Sequence, residues 1–338
     1  MQTSAEISIK GRPIKVPALE IQGRAVVVTG KWLKSASVFD EEWLAGEPVE
    51  DPNAFLQAIR ACQSRADVFS FASSQPDSPV RYDYYYEWDN AAVIRAGSYE
   101  KWWAGLSQDA RRNVRLAEKR GVKVEQAAFD DDFVSGIKRI YDETPIRQGR
   151  RFWHYGKDEA IIRRENGTYI DRSIFIGAYF EGQLIGFIKM VLVGKTARIM
   201  QILSMNSQFE KKPGNAMIAK AVELASKEGM SFVAYCRYVY GNKRNSSITE
   251  FKRRNGFEEL RFPRYYVPLT LKGRMAIKCG VHLGLKNILP EKLTDRLLSL
   301  RSVFYNRCVL RNNAVATVRG GNNGALLGSA LADEPNET

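Results

Sequence analysis

The sequence has little cysteine and histidine and no long apolar run, and each shortage argues against a class of protein. Its 338 residues include four cysteines, far apart and without a CxxC pair, and two histidines. This argues against a disulfide scaffold or a zinc site, so we expect a reducing compartment and no metal. No apolar run reaches the roughly 18 residues of a membrane span, and no signal-peptide pattern begins the chain. We therefore expect a cytoplasmic protein.

Several enzyme signatures are also missing, whereas positive charge is in excess. The sequence contains no GxGxxG, Walker, HExxH or GxSxG pattern. Lysine and arginine number 51 against 38 acidic residues, which gives a net charge of +13. Such an excess predicts an anionic partner: a nucleotide cofactor, a phosphorylated saccharide, tRNA or a membrane surface.

The most informative stretch runs from residue 174 to residue 229. It begins with an apolar run that turns at Glu181-Gly182, as in a β-hairpin, and a third strand follows. A helix comes next. Pro213 suits its first turn because a missing N–H costs nothing there, and Gly229 suits its end.

The start of that helix combines cations with free backbone N–H groups, which predicts an anion site. The segment is Lys211-Lys212-Pro213-Gly214-Asn215-Ala216. It resembles the pyrophosphate loop Arg/Gln-x-x-Gly-x-Gly/Ala of the GNAT-type acyltransferase superfamily, with Lys at the first position. The resemblance implies an acetyl-CoA or other acyl-CoA donor, whose amide groups would pair with the backbone of Ile202, Leu203 and Ser204. The alternative is an ordinary strand–helix connection with solvated lysines.

Two further segments resemble the FemAB-like branch of this superfamily. Phe251, Lys252 and Gly256 match a Phe-Lys-x-x-x-Gly signature at the expected distance behind the loop. The other match is a helical segment that precedes the acyltransferase half, through Trp102, Leu106, Arg112, Asn113, Arg115, Ala117, Lys119 and Gly121. The wider superfamily often has Tyr where this chain has Lys252, so the family's tyrosine general acid is not carried over to that position.

Amide formation from a thioester needs a neutral amine and a polarised carbonyl, which gives four candidate catalytic residues. An amine has a pKa near 10.4 and must lose a proton before it attacks. His154 is the candidate base, and Tyr265 or Tyr266 could return a proton to the leaving thiolate. Lys252 could stabilise the oxyanion as a fixed cation. The alternative for His154, which lies among aromatic residues, is a structural role.

The segment PIRQGRRFWHYGKDE is too basic and too aromatic for a plain connection, and in this fold it commonly walls the acceptor pocket. Guanidinium groups suit phosphate or carboxylate, and flat rings suit a sugar. We therefore expect a small anionic or saccharide-like acceptor. The candidate acceptor-binding residues are Arg147, Arg150, Arg151, Trp153, Tyr155 and Phe251. The alternative is a packed loop with exposed cations.

The resemblance implies an α+β fold with a mixed sheet. We expect a β-rich, partial GNAT-like half over residues 1–97 and the acyltransferase domain over 98–269. Residues 270–311 are expected to form a basic helical segment, which suits either an anionic membrane, at the inner membrane face, or plain packing. Residues 312–338 are expected to be a flexible tail.

The expected function is N- or O-acyl transfer from acyl-CoA to a sugar, an amino-sugar or another cell-envelope or polysaccharide precursor. One alternative keeps the fold and takes the acyl group from aminoacyl-tRNA, with a peptidoglycan-type precursor as acceptor. A second alternative is a non-enzymatic basic scaffold on membrane or nucleic acid.

Overall fold

The computed structural model describes residues 2–9, 12–39, 49–62, 65–72, 79–147, 149–240 and 246–283. The strands are β1 (Gln2–Ile9), β2 (Arg12–Ile21), β3 (Arg24–Thr29), β4 (Ser35–Val38), β5 (Val68–Ala72), β6 (Tyr86–Arg95), β7 (Lys123–Ala127), β8 (Ile146–Arg147), β9 (Arg150–Arg151), β10 (Ser173–Phe180), β11 (Gln183–Val193), β12 (Thr196–Ser204), β13 (Phe232–Ala234) and β14 (Glu258–Pro268). The α-helices are α1 (Pro52–Ala61), α2 (Tyr99–Gly105), α3 (Gln108–Lys119), α4 (Asp131–Asp142), α5 (Glu159–Asn166), α6 (Pro213–Lys227), α7 (Ser247–Arg254) and α8 (Leu271–Lys278).

One twelve-stranded sheet forms the centre of the molecule, in the order β1-β2-β3-β4-β5-β14-β6-β13-β12-β11-β10-β7. Each end of it contains four antiparallel strands followed by a helical crossover to a parallel strand. The crossovers are β4–α1–β5 and β12–α6–β13. The prediction of a mixed-sheet fold with two related halves is confirmed by this repeat.

The two halves exchange strands where they meet. Strand β14, which ends the second half, pairs with β5 from Arg264↔Ala72 to Pro268↔Val68. Strand β6 belongs to the first half but pairs with β13 from Phe232↔Arg95 to Ala234↔Val93. The sheet therefore continues across the boundary proposed at residue 97, and the predicted domain limits stay a prediction.

The apolar cores follow from this layering. A cluster that includes Ile94, Ile188 and Met217 fills the space between the sheet and helices α3 and α6. On the opposite face, Phe133 and Ile137 of α4 pack against Phe187 and Leu203. A third cluster lies under α1 in the first half. Each half thus has its own core on one continuous sheet.

Two segments differ from the simplest interpretation of their sequence patterns. The segment after Ser98 forms two helices instead of one, because the chain is extended at Leu106 and Ser107 caps a second helix through Ala110 N–H. The aromatic run at 82–88 enters a strand only at Tyr86. Of the predicted segment 270–311, the described part is α8 and the turn that follows it; residues 284–338, including the predicted tail, lie outside the described residues. No helix in the described part is long and apolar enough to cross a membrane.

Candidate functional site

The sheet opens between β12 and β13, and this opening is the candidate site. The two strands pair over three positions only, from Thr196↔Phe232 to Arg198↔Ala234, whereas β12 continues to Ser204. Among the described residues, no strand pairs with the rest of β12 on that side. Half of the peptide groups on this stretch of β12 are therefore left without a ladder partner.

The register shows which peptide groups face the gap. The N–H of Met205 donates to the Ile185 carbonyl at 2.8 Å, so Met205 faces β11. Because bonding alternates along an antiparallel pair, Leu203 also faces β11, while Ile202 and Ser204 face the gap. Of the three residues predicted to contact a donor through the backbone, Ile202 and Ser204 direct their peptide groups into the gap and Leu203 directs its groups to β11.

Near the end of β12, where Met217 packs on Gly186 opposite Ser204, lies the N-terminal part of helix α6. The residue before it, Lys212, has a left-handed backbone with φ of 57°, and no side chain caps the helix. The first-turn N–H groups of Gly214 and Asn215 therefore have no capping oxygen, as in anion sites at helix starts. Lys211 lies with its ammonium 4.3 Å from the Phe180 ring centre.

Gly214 does not have a left-handed backbone, whereas Lys212 just before it does. A Cβ built on Gly214 would lie 3.5 Å from the Phe251 ring, an ordinary contact. The backbone and the packing around Gly214 therefore leave room for a methyl group. Phe251, predicted to bind the acceptor, instead lies against the start of α6.

The FemAB-like signature residues hold α2, α6 and α7 together. The Asn215 side chain donates to Asn255 Oδ1 at 2.9 Å, and the Trp102 indole donates to the Asn255 carbonyl at 3.3 Å. Gly256 has φ of 79°, and a Cβ there would lie 2.8 Å from the Trp102 ring nitrogen. Only glycine suits this position. The sequence analysis did not single out Asn255, although this residue lies within the Phe-Lys-x-x-x-Gly signature.

Lys252 is fully buried beside the opening. Its ammonium donates to the Arg237 carbonyl and lies 4.7 Å from the Tyr235 ring centre and 4.8 Å from the Tyr240 ring centre. This arrangement fixes the cation between α7 and the chain that leaves β13. The segment from Tyr235 to Tyr240 thus forms the second wall of the opening, which sequence reasoning did not single out.

His154 is buried on the α4 face of β12. Its ring centre lies 3.6 Å from that of Trp153 and 4.3 Å from that of Tyr141, and Nε2 is 3.2 Å from the Gln201 amide nitrogen. Burial, with the charges of Lys157 and Arg147, lowers the pKa of His154 to about 3. A group with this pKa is neutral at pH 7 and accepts a proton poorly, which favours the structural alternative.

Arg147 fixes the end of β12. Its guanidinium donates to the Ser204 carbonyl at 3.0 Å and to Glu143 at 3.0 Å. Glu143 in turn accepts from the N–H groups of Asn206 and Ser207. Burial raises the pKa of Glu143, but these hydrogen bonds and the charge of Arg147 outweigh it and hold the pKa below its usual range. Arg147 is thus occupied within the protein, although it lies on the gap side of β12.

The remaining acceptor candidates are exposed near this site. Arg151 is exposed, and Trp153 and Tyr155 are each 48% exposed. The ammonium of Lys157 lies 4.2 Å from the Trp153 ring centre and pairs with Glu165. The side chain of Arg150 lies outside the described residues. The structure therefore places rings and cations together on the α4 side.

Tyr265 and Tyr266 lie elsewhere, in the part of β14 that pairs with β5. Tyr265 is fully buried in the first-half core, where its hydroxyl accepts from the Arg81 N–H at 2.9 Å. Tyr266 packs on His282, with ring centres 4.5 Å apart, and burial raises its pKa to about 12. The structure does not bring either tyrosine to the opening. No group of His, Cys, Asp and Glu residues suited to a metal occurs among the described residues.

Known proteins share this architecture. The structure of FemX superposes with a TM-score of 0.55 at 11% identity, covering 81% of this chain and 90% of FemX. The C-terminal domain of a putative lysylphosphatidylglycerol synthetase from Agrobacterium fabrum gives 0.54 at 11% identity, with 78% and 88% covered. The chain has the GNAT-type acyltransferase fold in its FemAB-like form.

One sequence relative is an acetyltransferase. Spermidine N(1)-acetyltransferase of Thermoplasma acidophilum is 28% identical over 122 residues, which are 35% of this chain and 71% of that protein. No protein-family model matches the chain. The fold and this acetyltransferase relative together confirm the prediction of an acyltransferase with this GNAT-type fold.

Proposed function

We propose that the protein transfers an acyl group from acyl-CoA to a small anionic or saccharide-like acceptor, such as a sugar or a cell-envelope precursor. The observation that carries the proposal is the opening between β12 and β13, with the uncapped N-terminus of α6 beside it. A helix start of this kind binds phosphate groups, and Lys211 and Lys212 add two positive charges.

The open edge of β12 accounts for the rest of the donor. An acyl-CoA carries an extended arm with amide groups, which can pair with an unpaired strand edge as an added strand does. The available partners are the N–H and carbonyl of Ile202 and the N–H of Ser204. The Ser204 carbonyl already accepts from Arg147, so the arm's pairing ends there. The thioester would then lie between the end of β12 and the wall that holds Lys252.

The acceptor would approach from the α4 side. Trp153 and Tyr155 offer flat rings, and Arg151 offers a fork of donors for a carboxylate or phosphate. Changing Arg151 to Ala should raise the acceptor KM about tenfold, because a charged hydrogen bond contributes about 1.5–3 kcal/mol. The CoA affinity should stay unchanged. A matched control is Arg164→Ala, because Arg164 is also an exposed arginine but lies on α5.

Aminoacyl-tRNA is the second candidate donor, and one observation favours it. Four exposed cations lie on α3 and at its C-terminal end: Arg112, Arg115, Lys119 and Arg120. Arg120 donates to the Glu210 carbonyl in the turn before α6, which brings this row of cations next to the anion site. Such a stripe suits a polyphosphate backbone.

A direct comparison of donors tests the proposal. Thermal unfolding is followed with CoA and with bulk tRNA, at matched ionic strength. CoA at about a hundred times its Kd should add about 2.7 kcal/mol to the free energy of unfolding. Stabilisation by tRNA alone would replace acyl-CoA with the second donor. No response to either ligand would overturn both.

A further inference from the structure

We propose that Trp32, Leu271 and Met275 form a membrane-docking surface that binds anionic phospholipid bilayers. This surface lies on the first half, away from the opening between β12 and β13. It joins two segments far apart in sequence: the turn between β3 and β4, which includes Trp32, and helix α8. We call it the docking surface.

The three apolar side chains point into solvent. Leu271 is 78% exposed, Trp32 64% and Met275 59%. Leu271 and Met275 are one helical turn apart and share a face of α8, while Gly273 and Ala276 on the other side are buried. The ammonium of Lys272 donates to the backbone carbonyl of Trp32 and lies 5.2 Å from the centre of the Trp32 ring. These two contacts join the turn to the helix.

The surface is held rigidly from below. A Cβ on Gly273 would lie 1.9 Å from the Asp67 carbonyl oxygen, so α8 rests directly on the backbone at the start of β5. The Asp67 carboxylate accepts from the Lys34 N–H at 2.9 Å and from the Thr270 hydroxyl at 2.8 Å. One buried acid thus ties the turn and the helix together, so little ordering is needed on binding.

Charge identifies the partner as anionic. Residues 30–34 and 270–280 contain no acidic residue, and the same two segments contain five exposed cations: Lys31, Lys34, Lys272, Arg274 and Lys278. A nucleic acid would engage these cations but would gain little from Leu271 and Met275. A bilayer with anionic head groups gains from both, because apolar side chains enter the interface while cations stay at the head groups.

The test measures co-sedimentation of the full chain with vesicles. Binding should occur with phosphatidylcholine vesicles that contain phosphatidylglycerol and should be much weaker with phosphatidylcholine alone. The triple variant Trp32→Ser, Leu271→Ser, Met275→Ser should lose at least tenfold in vesicle affinity, since it removes the inserting groups. Its matched control changes three other exposed apolar residues, Ile14→Ser, Val80→Ser and Trp88→Ser, and should bind as the wild type does.

A second variant tests the charges. Lys31→Gln, Lys34→Gln, Lys278→Gln should also lose about tenfold, whereas Arg60→Gln, Arg139→Gln, Arg164→Gln, which removes the same charge elsewhere, should not. Lys272 is left in place because it pairs with Asp67. Loss in the charge variant without loss in the apolar variant would make this a polyanion surface and overturn the proposal. Absence of binding, or equal binding to neutral vesicles, would also overturn it.

Insertion itself has a readout that does not depend on these variants. Lipids brominated near the head group should quench part of the tryptophan emission of the wild type. Trp32→Phe should remove that quenched part while binding persists, because Phe keeps an apolar ring. Quenching that is unchanged in Trp32→Phe would overturn the assignment of Trp32. Urea unfolding of every variant serves as the test of folding, and because vesicle binding is measured without CoA, its outcome is independent of the proposed function.

Discussion

Both halves contain a strand–helix–strand crossover, but the N-termini of the two crossover helices carry side chains of opposite charge. In the first half, the Asp51 carboxylate accepts from the N–H groups of Asn53 at 3.0 Å and Ala54 at 3.2 Å, which closes the N-terminus of α1. In the second half, no side chain caps α6, and Lys212, preceded by Lys211, stands at the N-cap position that Asp51 has in α1. An internal carboxylate thus occupies the start of α1, whereas no side-chain oxygen occupies the start of α6, where we propose that a phosphate of the donor binds. We infer that the missing cap marks the binding site within this repeated fold.

The halves also differ in what surrounds the crossover. Strand β4 has four residues, while β12 has nine and extends past its parallel partner. Between β7 and β10 the second half contains α4, a small hairpin and α5, whereas β1 and β2 of the first half are adjacent strands. The extra length gives the open edge, and the insertion gives the side chains that support it, including Arg147 and His154.

Reversing the charge at the open helix start should have the largest effect. Lys211→Glu with Lys212→Glu makes the start of α6 acidic, as at α1, and should weaken CoA binding more than a hundredfold, because two charged contacts become repulsive. Isothermal titration calorimetry measures it. Lys195→Glu with Arg60→Glu makes the same change of net charge elsewhere and should leave the affinity within a few-fold. Equal weakening by both pairs would mean that only overall charge matters.

Removing the support of β12 should cost stability as well as donor binding. Arg147→Ala leaves Glu143 half-buried without its partner and the Ser204 carbonyl without its donor, which should lower the free energy of unfolding by about 3 kcal/mol. Urea unfolding measures this loss. Arg147→Lys should recover part of it, because a single charge cannot make both contacts. If stability is unchanged and only the acceptor KM rises, Arg147 binds the acceptor.

Acidification should report on His154. Its pKa near 3 lies below the usual value of about 6.5, so the unfolded chain binds a proton that the folded chain excludes. His154 therefore destabilises the fold as the pH falls from about 6.5 towards 3, by about 1.4 kcal/mol per pH unit. His154→Phe should show a shallower loss of stability over this range.

The same variant tests the catalytic hypothesis. If His154 is structural, the acid limb of kcat/KM keeps its midpoint in His154→Phe. Loss of that limb, with stability retained at pH 7, would identify His154 as the base after all.

The cap of the first half should give the smallest effect. Asp51→Ala should lower the free energy of unfolding by about 1 kcal/mol, the usual contribution of an N-cap, while CoA affinity stays unchanged. Asp51→Asn keeps a side-chain oxygen and should lose little. Thermal unfolding of both variants measures the difference. A change in CoA affinity on losing the cap would show that α1 also takes part in binding.

Local patterns predicted the second half better than the first. Pro213 and Gly229 stand at opposite ends of α6, and the hairpin turns at Glu181-Gly182, because these residues act through their own backbone. The positions of Tyr265 and Tyr266 could not be predicted, because strand order decides them and β14 pairs with β5 across about 195 residues. The role of Arg147 was also hidden, since its partners are a backbone carbonyl and an acid one helical turn away.

The strand exchange has a consequence for biosynthesis. The sheet of the first half is completed by β14, which ends at Pro268, so the first 97 residues leave the ribosome with the edge of β5 still unpaired. From residue 97 to residue 268, another 171 residues must be made before β14 is complete. Until then the edge of β5, with Phe69 and Phe71, can pair with other chains. We therefore expect premature termination before β14 to release an aggregation-prone fragment instead of a smaller working domain.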